Sequence, residues 1–434
     1  MKKFLYSVFM LAAVVLAACS NDDNGDTQPK RGMTLNASVE NLSSRATMTD
    51  ESGTWKFAFA ENDQVIVSNN KISNYYTFTN NGSQFTSTDA MVTTEDANWY
   101  AYFPGNEVDL TNQTGNFADV ANKFAVAGVT AEATTGETGL SITLKSKVAV
   151  LRVVAVDKKG ILDIHVKTAD GKWVKGLTAT KNAADFAVSK SDTKTTLLYK
   201  AAGTVNAGEI NYVVVPAGVK IAIYNGNLLL NTTKDAGLAE GKYYTITSGP
   251  TKGTENALIN GVEKKINWVQ LWAGGPRFAT ENVAEEMTWT EAAKTGSDYV
   301  WGANWRTPTA EEVEEKGGLL FDWNTGQAQA GSPTFTITTA PDGTEETVVF
   351  TGMQLGYTKN TLTLYKKVVN GYNQFDFWTS TNDGGYGCKF IIWRKDNITW
   401  GFGISKRHDP NTEYHLVRPV LSIQNITNIT NNKK

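Results

Sequence analysis

The chain has 434 residues, of which 41% are hydrophobic, and a formal net charge of -3. Its length suits two or three domains with sizeable cores, and its charge balance gives no electrostatic footprint for nucleic acid. Two cysteines and three histidines exclude a disulfide scaffold and leave little for a histidine-based metal site or a hydrolase triad, so neither metal nor cofactor is expected.

The chain begins with Lys2-Lys3 and an apolar run from Phe4 to Leu16. That run has the length of a signal peptide and is short for a permanent bilayer span. Leu16-Ala17-Ala18-Cys19 closes it with small residues before a cysteine. This resembles the lipobox of bacterial lipoproteins, which implies lipidation at Cys19 and a mature chain starting there. The acidic stretch from Ser20 to Asp26 resembles the export signal that sends Bacteroidetes-type lipoproteins to the outer face of the outer membrane. An ordinary secretory signal with an incidental cysteine is the alternative. With Cys19 so used, Cys388 stands alone and reads as a small buried hydrophobe.

Residues 20–32 read as a flexible tether. Met33, Leu35, Ala37 and Val39 then alternate with polar residues, the period of a half-buried strand. Asn41 to Thr47 is a polar loop with one arginine, the kind of segment proteases cut. The arrangement resembles the N-terminus of the Bacteroidales fimbrillin family, the type V pilins. There a lipoprotein precursor is cut after an arginine or lysine behind the first strand, and the vacated groove takes a strand from the next subunit. The resemblance implies removal of residues 33–45 by processing at Arg45-Ala46, with Arg31 as the runner-up. An ordinary first strand with an uncut turn arginine is the other reading.

Residues 46–249 read as short strands between Asn, Gly, Asp and Thr turns, the spacing of β-sandwiches. Val148 to Val156 is nearly continuous apolar, so it is expected to be a central strand, with Arg152 at a rim or snorkelling. Four phrases resemble fimbrillin strands in the family's order: Glu61 to Val67, Trp99 to Pro104, Leu144 to Leu151, and Gly241 to Ile246. The family fold implies two transthyretin-like β-sandwiches with a boundary near 145–160.

Composition changes after a Gly249-Pro250 linker: nine of the twelve tryptophans lie between Trp268 and Trp400. Thr288-x-x-Glu291 and Thr309-x-x-Glu312 are capping boxes that predict two short helices among strands. The order Trp268 to Leu271, Phe278 to Ala284, Trp301 to Thr309, Phe377 to Thr381 and Val417 to Val420 resembles a C-type lectin-like domain. That domain is common at the C-termini of Bacteroidetes and Fibrobacter surface proteins. Residues 250–421 are therefore expected to be an α+β lectin-like domain, and the whole chain to be mainly β. Trp301, Trp305 and Trp378 read as packing.

Ligand-binding candidates are the polar, aromatic-flanked loops of this region. They are Asn382, Asp383 and Tyr386; Trp393, Lys395, Asp396 and Trp400 around a predicted hairpin; and Arg407, His408 and Asp409. Motifs of calcium-type lectins are absent, and no catalytic residue is identified. The tail, 422–434, has isoleucines every third residue rather than every second, which suits a tip better than a strand donor. The resemblance implies a non-enzymatic tip or accessory pilin on the cell surface. Its partners would be other pilin subunits, glycan or protein receptors, and, before processing, the outer membrane. A lipid-anchored glycan-binding lipoprotein outside any pilus is the first alternative, and a surface hydrolase the second.

Overall fold

The computed structural model describes residues 34–39, 59–71, 74–88, 98–131, 139–157, 160–283, 285–314, 319, 321–322, 327–328, 334–339, 346–352, 360–369, 372–394 and 400–422. Cys19, Arg31, Arg45, Ala46, Lys395, Asp396 and the tail beyond Ser422 lie outside them.

The expected mainly β architecture is present: strands dominate, and the helices are short. Seven of the first eight strands form one sheet that closes on itself, while Glu107–Asp109 pairs with Trp173–Ala179 instead. Thr34–Val39 is followed around it by Phe85–Thr86, Tyr75–Asn80, Gln64–Asn69, Asn98–Phe103, Val126–Ala131 and Gly139–Ser146. Alternation dictates the inner face. Along Gly139–Ser146 every second residue is buried, and Leu140, Ile142 and Leu144 point inward. Gly128 sits where a side chain has no room, since a Cβ there would lie 2.3 Å from the Thr143 carbonyl oxygen.

Thr34–Val39 closes this sheet unequally. It runs parallel to Gly139–Ser146 over six residue pairs, from Thr34 opposite Gly139 to Val39 opposite Leu144. On its other side it meets Phe85–Thr86 at two pairs only. Leu35 is fully buried, whereas Asn36 and Ser38 face solvent.

The chain then builds two further sheets over the same continuous core. One is ordered Phe186–Ser191, Trp173–Ala179, Leu162–Thr168, Ile221–Asn225, Leu228–Thr232. The other places Val148–Val154 between Ile210–Pro216 and Tyr243–Thr247. Val148–Val154 is the expected central strand, buried except at Arg152. Arg152 lays its guanidinium over the Tyr243 ring, 5.2 Å from the centroid, so the cation leaves the core along an aromatic face.

The C-terminal half joins this body around Val156 and Asp157. Gln270 donates to the carbonyls of Val156 and Gly275, at 3.2 and 2.9 Å. Arg277 pairs with Asp157 at 3.0 Å. The half is built on a sheet ordered Lys252–Ile259, Val262–Gln270, Arg277–Ala279, Val420–Leu421, Trp305–Arg306, and on the meander Lys367–Val369, Tyr372–Asp383, Tyr386–Arg394, Trp400–His408. Trp301, Trp305 and Trp378 are buried, and Trp301 meets Trp305 edge to face at 5.6 Å.

Both predicted capping boxes close. At Trp289–Ala292 the Thr288 hydroxyl accepts from the Glu291 N–H while the Glu291 carboxylate accepts from the Thr288 N–H at 3.0 Å. At Ala310–Glu314 the Glu312 carboxylate accepts from the Thr309 N–H at 2.9 Å, and the Thr309 hydroxyl oxygen accepts from the Glu312 N–H at 3.1 Å.

Glu312 also takes a forked grip from Arg306, at 2.8 and 2.5 Å. Burial would raise its carboxyl, but the Arg306 guanidinium and the Thr309 donors outweigh it and hold the pKa below its ordinary 4.5. A carboxyl depressed in the folded state contributes stability above its unfolded pKa and loses it as pH falls through the folded value. Arg306→Met is therefore expected to cost about 1–2 kcal/mol at neutral pH. The difference from wild type should vanish well below pH 4.5. Urea unfolding at both pH values measures it.

Candidate functional site

The strands of the C-terminal meander sort the sequence candidates onto two ends. Gly387 pairs with His408, and Arg394 pairs with Trp400. The turn carrying Asn382, Asp383 and Tyr386 therefore lies at the same end as Arg407, His408 and Asp409. Trp393 and Trp400 belong to the opposite end, about 20 Å away at roughly 3.3 Å per residue. The antiparallel pairing of Tyr386–Arg394 with Trp400–His408 agrees with the predicted hairpin.

At the first end the turn is made by Gly384 and Gly385, both left-handed at φ 64° and 96°. The Asn382 side-chain oxygen accepts from the Gly385 N–H at 2.8 Å, so it builds the turn. Tyr386 is exposed beside it. Asp409 likewise shapes its own loop, accepting from the N–H groups of Asn411 and Thr412 at 2.9 and 3.0 Å. Arg407 is exposed, with a left-handed backbone at φ 65°. The loop after His408 rests on the helix Trp289–Ala292: Thr290 donates from its N–H and from its hydroxyl to the Pro410 carbonyl, both at 3.0 Å.

Beneath these loops is a buried polar cluster that sequence reasoning did not assemble. Asp376, Lys389 and His415 are each less than 8% exposed. Lys389 Nζ lies 3.3 Å from Asp376 Oδ2 and 3.1 Å from His415 Nε2. His415 Nδ1 is 2.8 Å from Asp376 Oδ2, turned off ideal hydrogen-bond alignment. Gln374 also donates to Asp376. Burial would raise the Asp376 carboxyl, but His415, Lys389 and Gln374 together hold it below the usual range.

His408 extends the cluster outward. Its Nδ1 lies 2.6 Å from Glu413 Oε2, and its Nε2 lies 2.7 Å from the Ser405 hydroxyl. Burial pushes the His408 imidazole below its ordinary 6.5, so it is neutral at neutral pH. Trp378 stands edge-on to His415, 4.7 Å between centroids, and walls the cluster from the core. Cys388 is fully buried nearby, and burial pushes its thiol up, as suits a packing residue.

Three histidines are few for a metal site on sequence grounds, and of them only His408 lies in a candidate binding loop. His408 and His415 meet only because the strand Tyr414–His415 pairs with Met287–Thr288 and turns the loop back on itself. Their spacing to Glu413 was the available signal. Sequence reasoning also missed an open groove of about 320 Å³ on the first C-terminal sheet, lined by Lys252, Thr254, Asn267, Trp268, Thr280 and Asn360 among others.

No family model matches the chain, and no curated protein does. Among solved structures it is similar to a candidate cell adhesion protein from Bacteroides uniformis, at 12% identity and a TM-score of 0.30, covering 56% of this chain and 98% of that one. It is also similar to a fimbrial protein from Bacteroides ovatus, at 13% identity and a TM-score of 0.26, over 90% of this chain and 99% of that one. A fimbrial assembly protein from Parabacteroides distasonis matches at 10% identity and a TM-score of 0.25, over 55% and 94%.

Proposed function

We propose that this chain is a non-enzymatic subunit of a type V fimbria, at the tip or in an accessory position. Residues 46–249 join neighbouring subunits by strand exchange, as two β-sandwich domains. Residues 250–421, as a lectin-like domain, make adhesive contact with glycan or protein receptors through the loops around 382–386 and 406–413. The observation that carries the reading is the strand Thr34–Val39. It is a single pass laid parallel on Gly139–Ser146 and paired at only two positions on its other side. Leu35, Ala37 and Val39 stand opposite Leu140, Ile142 and Leu144. Withdrawing it leaves an apolar groove beside unpaired backbone, which a donor strand with the same alternation refills. The lipobox at Cys19 and the loop at Arg45-Ala46 supply the delivery and the cut that such a mechanism needs.

N-terminal sequencing of the protein from sheared fimbriae and from outer membranes, taken separately, tests this. A chain starting at Ala46 in the fimbrial fraction is the expected result. A start just after Arg31 keeps Thr34–Val39 in place and overturns strand exchange. A chain blocked at Cys19 and confined to membranes overturns assembly and leaves a tethered surface-binding protein.

A further inference from the structure

We propose that His408, Glu413 and His415 form a binding site for a divalent transition metal of the zinc class, which pins the 409–413 loop to the meander. One nitrogen of each imidazole and one carboxylate oxygen of Glu413 lie within 4.8 Å of one another. Two imidazoles and a carboxylate are the donor set of three-ligand zinc sites with an open fourth position. The same set disfavours calcium and magnesium, which take oxygen ligands almost throughout.

The geometry needs little change. His408 Nδ1 and His415 Nε2 stand 2.6 and 3.6 Å from Glu413 Oε2. Tetrahedral bonds of about 2.0 Å place neighbouring ligand atoms about 3.3 Å apart, so these two contacts shift by less than about 1 Å. Glu413 is 41% exposed at its side chain and His408 17%, which leaves the ligand atoms a route from solvent.

The surroundings are those of a metal site as well. The Asp376 carboxylate, 2.8 Å from His415 Nδ1, favours the tautomer that keeps the proton on that nitrogen and leaves the Nε2 lone pair, 3.6 Å from Glu413, free for a metal. The Ser405 hydroxyl oxygen, 2.7 Å from His408 Nε2, accepts a hydrogen bond from the Nε2–H that forms once Nδ1 binds metal. His408 thus changes tautomer without gaining or losing a proton.

Lys389 is the competitor. Its ammonium sits 3.1 Å from His415 Nε2, on the lone pair the metal needs. Binding moves the ammonium off that nitrogen while it keeps its contact with Asp376. A purely structural network has no reason to bind metal better without Lys389, whereas a metal site does.

The test uses the full chain after chelator treatment, titrated with zinc chloride against a chromophoric chelator, and with cobalt(II) followed by its visible absorption. Wild type is expected to bind one equivalent of zinc and to give a four-coordinate cobalt spectrum. His408→Ala and Glu413→Gln, both at partly exposed positions, are expected to lose it. Asp376→Asn should weaken it about 10–100-fold. Lys389→Met should tighten it at least about tenfold. Absence of stoichiometric binding in both wild type and Lys389→Met overturns the proposal. Binding that survives in His408→Ala and Glu413→Gln also overturns it, because the metal is then held elsewhere.

Discussion

Leu35→Asp is expected to unfold the closed sheet of the unprocessed chain. Leu35 is fully buried and sits at the seam, opposite Leu140 on one side and Phe85 on the other. Truncating a buried leucine costs about 2–5 kcal/mol, and a carboxylate in its place must also be desolvated or protonated. The sum approaches the roughly 5–15 kcal/mol that a whole domain possesses. Asn36→Asp and Ser38→Asp, on the solvent face of the same strand, should change stability by no more than about 0.5 kcal/mol. Urea unfolding of the three variants measures the contrast. A chain starting at Ala46 should regain the wild-type unfolding midpoint when a peptide spanning residues 33–40 is added in trans, and should not with the peptide carrying Leu35→Asp. If the shortened chain is as stable alone as with the peptide, the seam is not a groove and strand exchange loses its physical basis.

Arg418→Ala should cost the C-terminal half about 3–5 kcal/mol. The side chain is wholly buried. Its guanidinium donates to the carbonyls of Ala279 and Thr363, at 3.3 and 2.7 Å, and so ties the strand Arg277–Ala279 to the strand Thr361–Tyr365. Burial pulls its pKa down to about 9 against the pull of Tyr365 and Glu281, so it remains a cation at neutral pH. Alanine removes both donors and leaves a cavity. Arg418→Met fills most of that volume and should recover part of the loss, because apolar replacement of a buried ion avoids its desolvation cost. Denaturant midpoints of wild type, Arg418→Met and Arg418→Ala should fall in that order. A midpoint for Arg418→Ala equal to wild type would remove the stitching role.

Short-range chemistry was readable from the residues alone. The alternation of Leu35, Ala37 and Val39, the continuous apolar run from Val148, and the two Thr-x-x-Glu boxes each specify a local conformation through their own neighbours. Each appears in the fold where the spacing put it. Burial of Trp301, Trp305, Trp378 and Cys388 followed from the same logic, since apolar side chains leave water wherever the chain closes.

Pairings between distant segments were not readable, because nothing local encodes which strand meets which. No residue near Leu35 states that its ladder partner is Leu140, 105 positions on, or that the ladder is parallel. The candidate loops could be named by composition, but their division between two ends of the meander is set by register. The cluster of Asp376, Lys389, His408, Glu413 and His415 draws on four strands and a loop, with contacts set by tertiary packing. The sequence determined what each segment of this protein is; only the tertiary structure decided which side chains share a dielectric, and therefore where its chemistry can occur.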